Sequence, residues 1–358
     1  MTRWLKSNWF LLALAFTFVL GYVSSDWLEP LAKLGTLRSV LVMSVMWAMG
    51  ITLRADAIRD SIKRPAASLL AIGLNVVFVP LLCFGVMSWL TPEMGGGLFV
   101  AGLVPCTLAS ASVWVRKAGG DDSIAIITTT VTNLATIAVV PIGIQLVFST
   151  QSEVSAIAQM QKLALFVVAP LGVAQLMRRW GCATWADRNK TRLSLAAQIG
   201  ILVMVAFGAV VSHSYGDGSN ATTSSWMLLF VALLALAVHV IALLSGIGAS
   251  RGLGLSRESQ VAVGIAGSQK TLMVGLQIAI DCGVSVLPML IYHASQLVFD
   301  TVFVQWWSKA SEVGEQEEHS STLIFTDDSR RAGGKKPRNT TKTRKGQGTE
   351  SGEERKHS

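Results

Sequence analysis

Four residues of this 358-residue chain set a reactive or strongly hydrogen-bonding side chain in an apolar neighbourhood: Cys106, Asn133, Lys270 and His293. Lys270 is the most informative. An ammonium in hydrocarbon costs several kcal/mol unless it is paired or hydrated, so ionisable residues inside a membrane mark ion or solute paths. Lys270 stands about ten residues from either end of its apolar run, too deep for a snorkelling side chain. Gln269 and Thr271 flank it with hydrogen-bonding groups. The run Thr128-Thr129-Thr130-Val131-Thr132-Asn133 is too hydrophilic for a lipid-facing helix. Some of its threonines are expected to bond the carbonyl four residues back. Asn133 must satisfy both ends of its carboxamide, and a broken neighbouring helix would supply free backbone groups to meet it. Thr107 and Ser110 follow the mid-run Pro105. His293 reads equally as a titrating group and as a hydrogen-bonded core histidine. Asp300, about 10 Å further along the same run by helical rise, is expected to pair near the cytoplasmic end rather than with Lys270. Cys106 is expected as a small apolar filler, with contact to solute as the alternative.

Other chemistries are not indicated. Cys83, Cys106, Cys182 and Cys282 form no CxxC pair, so neither a zinc site nor a disulfide framework is expected. No HExxH, paired carboxylates or Ser/His/Asp set lies at one depth, which argues against an enzyme. Gly95-Gly96-Gly97 reads as an external turn and not a phosphate loop, because no Lys-Ser/Thr follows.

The elements that must position these groups are apolar. The chain is 51% hydrophobic and 15% charged, against about 25% charged for soluble domains. Its mean hydropathy is +0.50 and its pI is near 9.5. A nucleic-acid partner is excluded, because its basic residues would need an open polar surface. Runs long enough to cross a bilayer fall at about 8–24, 37–53, 66–90, 97–115, 123–148, 162–177, 195–211, 224–247, 260–280 and 284–307. The seventh, 195–211, is short and the weakest of the ten, and losing it would put the chain ends on opposite sides. The first is read as a retained span, not a cleaved signal peptide. One set of loops carries fifteen Lys and Arg, among them Arg54, Arg59, Lys63, Arg64, Arg188 and Lys190, while the other carries Lys33, Arg38 and Lys162. The positive-inside rule then puts both termini in the cytoplasm, in a plasma or bacterial inner membrane.

Ten spans divide into two fives, and an odd number per half inverts the second half in the membrane. The repeats run at about 8–148 and 162–307, giving a transporter body over 1–307. The fourth span is interrupted at Pro105 and the ninth around Gly267-Ser268-Gln269-Lys270. Interrupted spans at matching positions are the best pointer to a midplane solute site. Residues 308–358 hold eleven Lys/Arg and nine Asp/Glu with few apolar residues, which predicts a disordered cytoplasmic tail. Asn339 lies in a glycosylation sequon within that tail, and Asn220 in one within a predicted external loop.

The stretch from Val104 through Val113, then Lys117-Ala118-Gly119-Gly120-Asp121, Thr132-Asn133-Leu134 and Pro141, resembles the bile acid/sodium symporter superfamily. Gly267 through Leu272, Leu287 through His293, and Gln296 resemble its sodium/bile acid cotransporter 7-like (SBF-like) branch. The resemblance implies an all-α membrane fold of two inverted five-helix repeats, with a panel, a core, and broken fourth and ninth helices that cross at the site. In the sodium-coupled symporters a glutamate four residues before the ninth-helix glutamine, and an asparagine after it, help hold sodium. Here those positions are Ile265 and Lys270, with Gln269 between them. The coupling ion is therefore left between sodium and proton. A related arsenite exporter family carries a cysteine in the fourth helix, which gives Cys106 a minor second reading.

The expectation is a secondary transporter of a small organic anion working by alternating access, with membrane lipid as its surroundings and no cofactor or metal. Lys270, Gln269, Asn133, Thr107, Ser110, Thr129, Thr271 and His293 are the expected solute or ion contacts. The alternative is a non-transporting regulatory membrane protein acting through its tail.

Overall fold

The computed structural model describes residues 9–53, 65–108, 110–148, 156–216 and 225–308. The tail from 309, Asn220, and the basic cluster Arg54, Arg59, Lys63 and Arg64 lie outside the described residues. Every regular element among the described residues is a helix. The chain runs α1 (Trp9–Val23), α2 (Ser25–Ala32), α3 (Gly35–Thr52), α4 (Pro65–Met87), α5 (Pro92–Leu103), α6 (Ser110–Lys117) and α7 (Asp122–Phe148). It continues through α8 (Ile157–Arg188), α9 (Lys190–Gly216), α10 (Ser225–Gly252), α11 (Arg257–Ser268), α12 (Leu272–Asp281) and α13 (Leu287–Ser308). Seven of these are long and apolar enough to cross a membrane, and α1 with α2 makes an eighth such unit, bent by 97°.

The helices carry their largest apolar side chains outward as well as inward, as a lipid-solvated bundle requires. Leu146 is 78% exposed and Trp27 87%. Trp27, Trp89 and Trp226 lie near helix ends on one side, and Trp180, Trp185 and Trp306 near ends on the other. Such girdles mark headgroup levels.

α1, α2, α3, α8 and α9 pack on one another as one group. α4 to α7 pack with α10 and α11 as a second, to which α13 is tied by contacts such as His239 against Phe299. Glycines let α10 and α11 approach closely, since a Cβ at Gly246 would lie 2.9 Å from the Gly264 Cα. At the end rich in Lys and Arg, Arg178 donates to the Ile51 oxygen at 2.8 Å and Gln175 to the Gly50 oxygen at 2.7 Å. Two side chains of α8 thus bond the last carbonyls of α3. At the opposite end Arg38 of α3 faces Asp281 of α12 at 3.8 Å.

Several boundaries differ from the sequence reading. Gly95–Gly97 lies inside α5, not in a turn: Thr91 caps the helix and Pro92 starts it, so the glycines fall in its first turns. All three are buried, and a Cβ at Gly96 would lie 2.8 Å from the Val284 side chain. The seventh apolar run is a full-length helix, α9, because its polar first turn, Lys190-Thr191-Arg192, is helical too. α8 runs past Met177 and bends at Gly181, whose φ of 108° is open to glycine.

Candidate functional site

The two interrupted helices are built alike. α5 and α11 each have twelve residues and begin on a hydroxyl N-cap, Thr91 or Ser256. They end on Val104 (φ −69°, ψ 155°) and Gln269 (φ −72°, ψ 141°), both extended. The causes of the breaks differ. Pro105 has no N–H and pushes the residue before it out of the helical region, so the first break is local. The second contains no proline and is held by other helices. Asn75 donates to the Gln269 oxygen at 2.9 Å and to the Gly267 oxygen at 3.2 Å. Gln296 accepts from the Lys270 amide at 3.0 Å and donates to the Lys270 oxygen at 2.9 Å. Tyr292 donates to the Ser268 oxygen at 3.2 Å. The breaks meet where the Thr271 amide donates to the Pro105 oxygen at 2.9 Å.

Lys270 is 1% exposed and its ammonium points into a cage of oxygens. Nζ lies 2.6 Å from the Asn75 backbone oxygen, 3.0 Å from the Val104 oxygen and 3.3 Å from Asn75 Oδ1. Three acceptors match the three hydrogens of an ammonium. The closest of them is available for a local reason. α4 makes one π turn at Leu74–Phe78, where the Val79 amide bonds the Leu74 oxygen. Pro80 follows with no N–H, so the Asn75 oxygen has no amide left to it in its own helix.

A cavity of about 260 Å³ lies between the two helix groups, toward the basic end. Thr107, Ser110, Thr271 and His293 line its wall on the side of the breaks, facing Thr52, Ser194 and Gln198. Among the described residues no acidic side chain lines it. Lys270, Gln269, Asn133 and Thr129 are not among the lining residues. Gln269 sits just behind the wall, its Oε1 accepting from Thr107 Oγ1 at 2.7 Å and Ser110 Oγ at 3.2 Å. Thr129 donates to the Thr107 oxygen at 3.1 Å, and Asn133 Nδ2 to the Cys106 oxygen at 3.1 Å. These two brace the first break from α7. Asn133 Oδ1 is buried with no hydrogen-bond partner among the described residues. Cys106 is fully buried, its thiol 3.4 Å from Thr129 Oγ1, and does not line the cavity. His293 Nδ1 lies 2.9 Å from Gln296 Nε2 and 3.3 Å from the Lys270 oxygen.

Asp300 pairs in the interior, where the sequence suggests a partner near the end of the helix. Its Oδ1 lies 2.9 Å from His239 Nε2, at the middle of α10, and its Oδ2 accepts from Gln269 Nε2 at 2.6 Å. Both members of the pair are 0% exposed. Asn75 and His239 are the site-building residues that motif reading passes over. Each is an isolated hydrogen-bonding side chain in the middle of a strongly apolar helix, the same signal that singles out Asn133.

The sequence profile of the SBF-like CPA transporter family matches residues 8–309. The uncharacterized protein PA2026 of Pseudomonas aeruginosa is 26% identical over 274 residues, 73% of this chain and 80% of that one. The probable sodium/metabolite cotransporter BASS4, chloroplastic, of Oryza sativa subsp. japonica is 25% identical over 330 residues, 86% of this chain and 77% of its own. Sodium/bile acid cotransporter 7 of Rattus norvegicus is 21% identical over 291 residues, 77% of this chain and 84% of its own.

Proposed function

Given that the chain belongs to the SBF-like CPA transporter family and is a multi-pass membrane secondary transporter, we propose that its solute is a small organic anion bound in the cavity between the two helix groups. One observation carries this reading. The starts of α6 at Ser110 and of α12 at Leu272 both lie in the cavity wall, among the hydroxyls of Thr107, Ser110 and Thr271 and with no carboxylate among the described residues. Thr271 makes no side-chain capping bond to α12, so that hydroxyl does not take up the first amides of the helix. Helix N-termini favour anions.

The seven long helices, the bent α1–α2 pair and the two interrupted pairs make ten crossing units, which fits two inverted fives. With the basic end in the cytoplasm, the cavity is inward-facing and the Arg38–Asp281 contact closes the outer side. Alternating access is then a movement of the group holding the breaks against the group holding α3 and α9.

Lys270 supplies positive charge behind the solute. Its ammonium sits among oxygens as a bound cation would, and Ile265 offers no carboxylate, so solute binding does not require sodium. The test is thermal protection of the purified protein by benzoate and by taurocholate, in sodium chloride and in choline chloride. Protection by an anion in both salts is the expected result. Protection only in sodium, or by neutral and cationic solutes instead, overturns the reading.

A further inference from the structure

Behind the cavity wall lies a buried pair that the anion site does not itself use. From its geometry we infer that His239 and Asp300 form a proton-binding site whose occupancy controls the cavity's affinity for an anion; this rests on the anion reading above.

Both ring nitrogens of His239 face oxygen. Nε2 lies 2.9 Å from Asp300 Oδ1, and Nδ1 3.4 Å from the Ser268 carbonyl oxygen. A neutral imidazole has a single N–H and would leave its other nitrogen's lone pair against an oxygen lone pair. The arrangement is satisfied when the pair holds one proton more than neutral imidazole plus carboxylate. The bound proton comes from solvent, and the pair changes from a net charge of −1 to zero when it binds.

That change reaches the cavity through one side chain. Gln269 donates to Asp300 Oδ2 at 2.6 Å, and on its other side its Oε1 accepts from Thr107 Oγ1 at 2.7 Å. An unloaded pair therefore places a net negative charge one glutamine behind the wall where the anion sits, in a setting of low dielectric. Loading removes the repulsion. Proton and anion then bind with positive coupling, each strengthening the other.

The other titratable groups near the pair are engaged. Tyr292, 6.2 Å from the His239 ring, donates to the Ser268 oxygen. His293 is held by Gln296 and the Lys270 oxygen. The Lys270 ammonium is in its cage, and Cys83 of α4 is buried. Arg257 and Glu258 stand at the far end of α11, about 15 Å away by helical rise, and Arg251 at the far end of α10.

The experiment measures benzoate and taurocholate affinity of the full chain in nanodiscs between pH 6 and pH 8, for wild type, Asp300→Asn and His239→Gln. It is paired with ¹⁵N-histidine NMR of the wild type. Wild-type affinity is expected to fall about tenfold across that range, while Asp300→Asn, uncharged at every pH, keeps the high affinity throughout. Should that variant fail to fold, His239→Gln decides, with the wild-type pH slope expected to be lost or displaced. The NMR spectrum should show a single protonation step for the resonance that His239→Gln removes. A wild-type slope that persists in both variants assigns the titration to Lys270 and overturns the proposal. So does tight anion binding that is flat with pH. If folded protein binds neither anion, the anion reading and the coupling fail together. The NMR titration then still decides the proton site: a His239 ring fixed in one state from pH 5 to pH 9 overturns it.

Discussion

The Lys270 ammonium donates at 2.6 Å to the Asn75 carbonyl oxygen, which its own helix cannot use because Pro80 stands five residues ahead. A proline in one helix thereby prepares the acceptor for a lysine nearly two hundred residues later. Neither residue explains the other alone.

Replacing Lys270 with methionine leaves the oxygens of Asn75 and Val104 without a donor in the interior. The expected loss is on the order of 3 kcal/mol of stability, the cost typical of breaking a buried charged contact. Asn75→Ala should also destabilise, and the double variant should be less harmed than the sum of the two. Thermal unfolding in detergent measures all three. Strict additivity would show that the cage is not a unit.

Thr107→Val removes a hydroxyl that donates to Gln269 and accepts from Ser110 and from the Ala111 amide. Volume is kept, so the fold should survive. Benzoate affinity should drop about tenfold, as for loss of one or two hydrogen bonds in a buried site. Ser110→Ala should cost less. Equal affinities in titration calorimetry would remove both hydroxyls from the solute contacts.

Arg38→Gln deletes the charged contact between α3 and α12, in which Arg38 Nη2 lies 3.8 Å from Asp281 Oδ1. The pair is partly exposed, so its removal should shift the inward–outward balance by no more than about fivefold. A cysteine placed at Gln277 should become more reactive from outside in the variant. Unchanged or lower reactivity would mean that this contact does not close the outer end.

Single cysteines at Arg188 and Asn220 test the topology: the first should react only from the cytoplasm and the second only from outside. Burial pushes the native Cys282 thiol up to about 11, so it should stay silent toward maleimide at neutral pH. Cys182, which is only partly buried, is replaced by serine in the background. Reaction at position 188 from outside would reverse the assignment of the basic end.

Much of this arrangement was legible in the sequence. The apolar runs locate the long helices, because burial in lipid leaves a composition that few other settings produce. The fourth-span break was readable because Pro105 creates it locally. The ninth-span break was readable only from its polar content, and its partners were not: Asn75, Tyr292 and Gln296 act on it from α4 and α13, and sequence spacing does not carry that pairing. The direction of Lys270 was beyond reach for the same reason. A lysine at that depth announces a charge, but only the π turn beside Pro80 determines that the charge points into a cage and not into the cavity. Gly95–Gly97 misled because glycine marks turns and close helix packing alike.

The unequal construction of the two breaks bears on how the chain is made. The first is written into its own segment, so it can form as soon as that segment leaves the ribosome. The second has no such instruction. Until Gln296 and Tyr292 have been synthesised and brought beside it, residues 257–281 have every local reason to run as one continuous helix. The meeting of Thr271 and Pro105 is therefore a late event in assembly, completed only when the final helix arrives, and a nascent chain arrested before that point would hold a membrane bundle without the paired breaks.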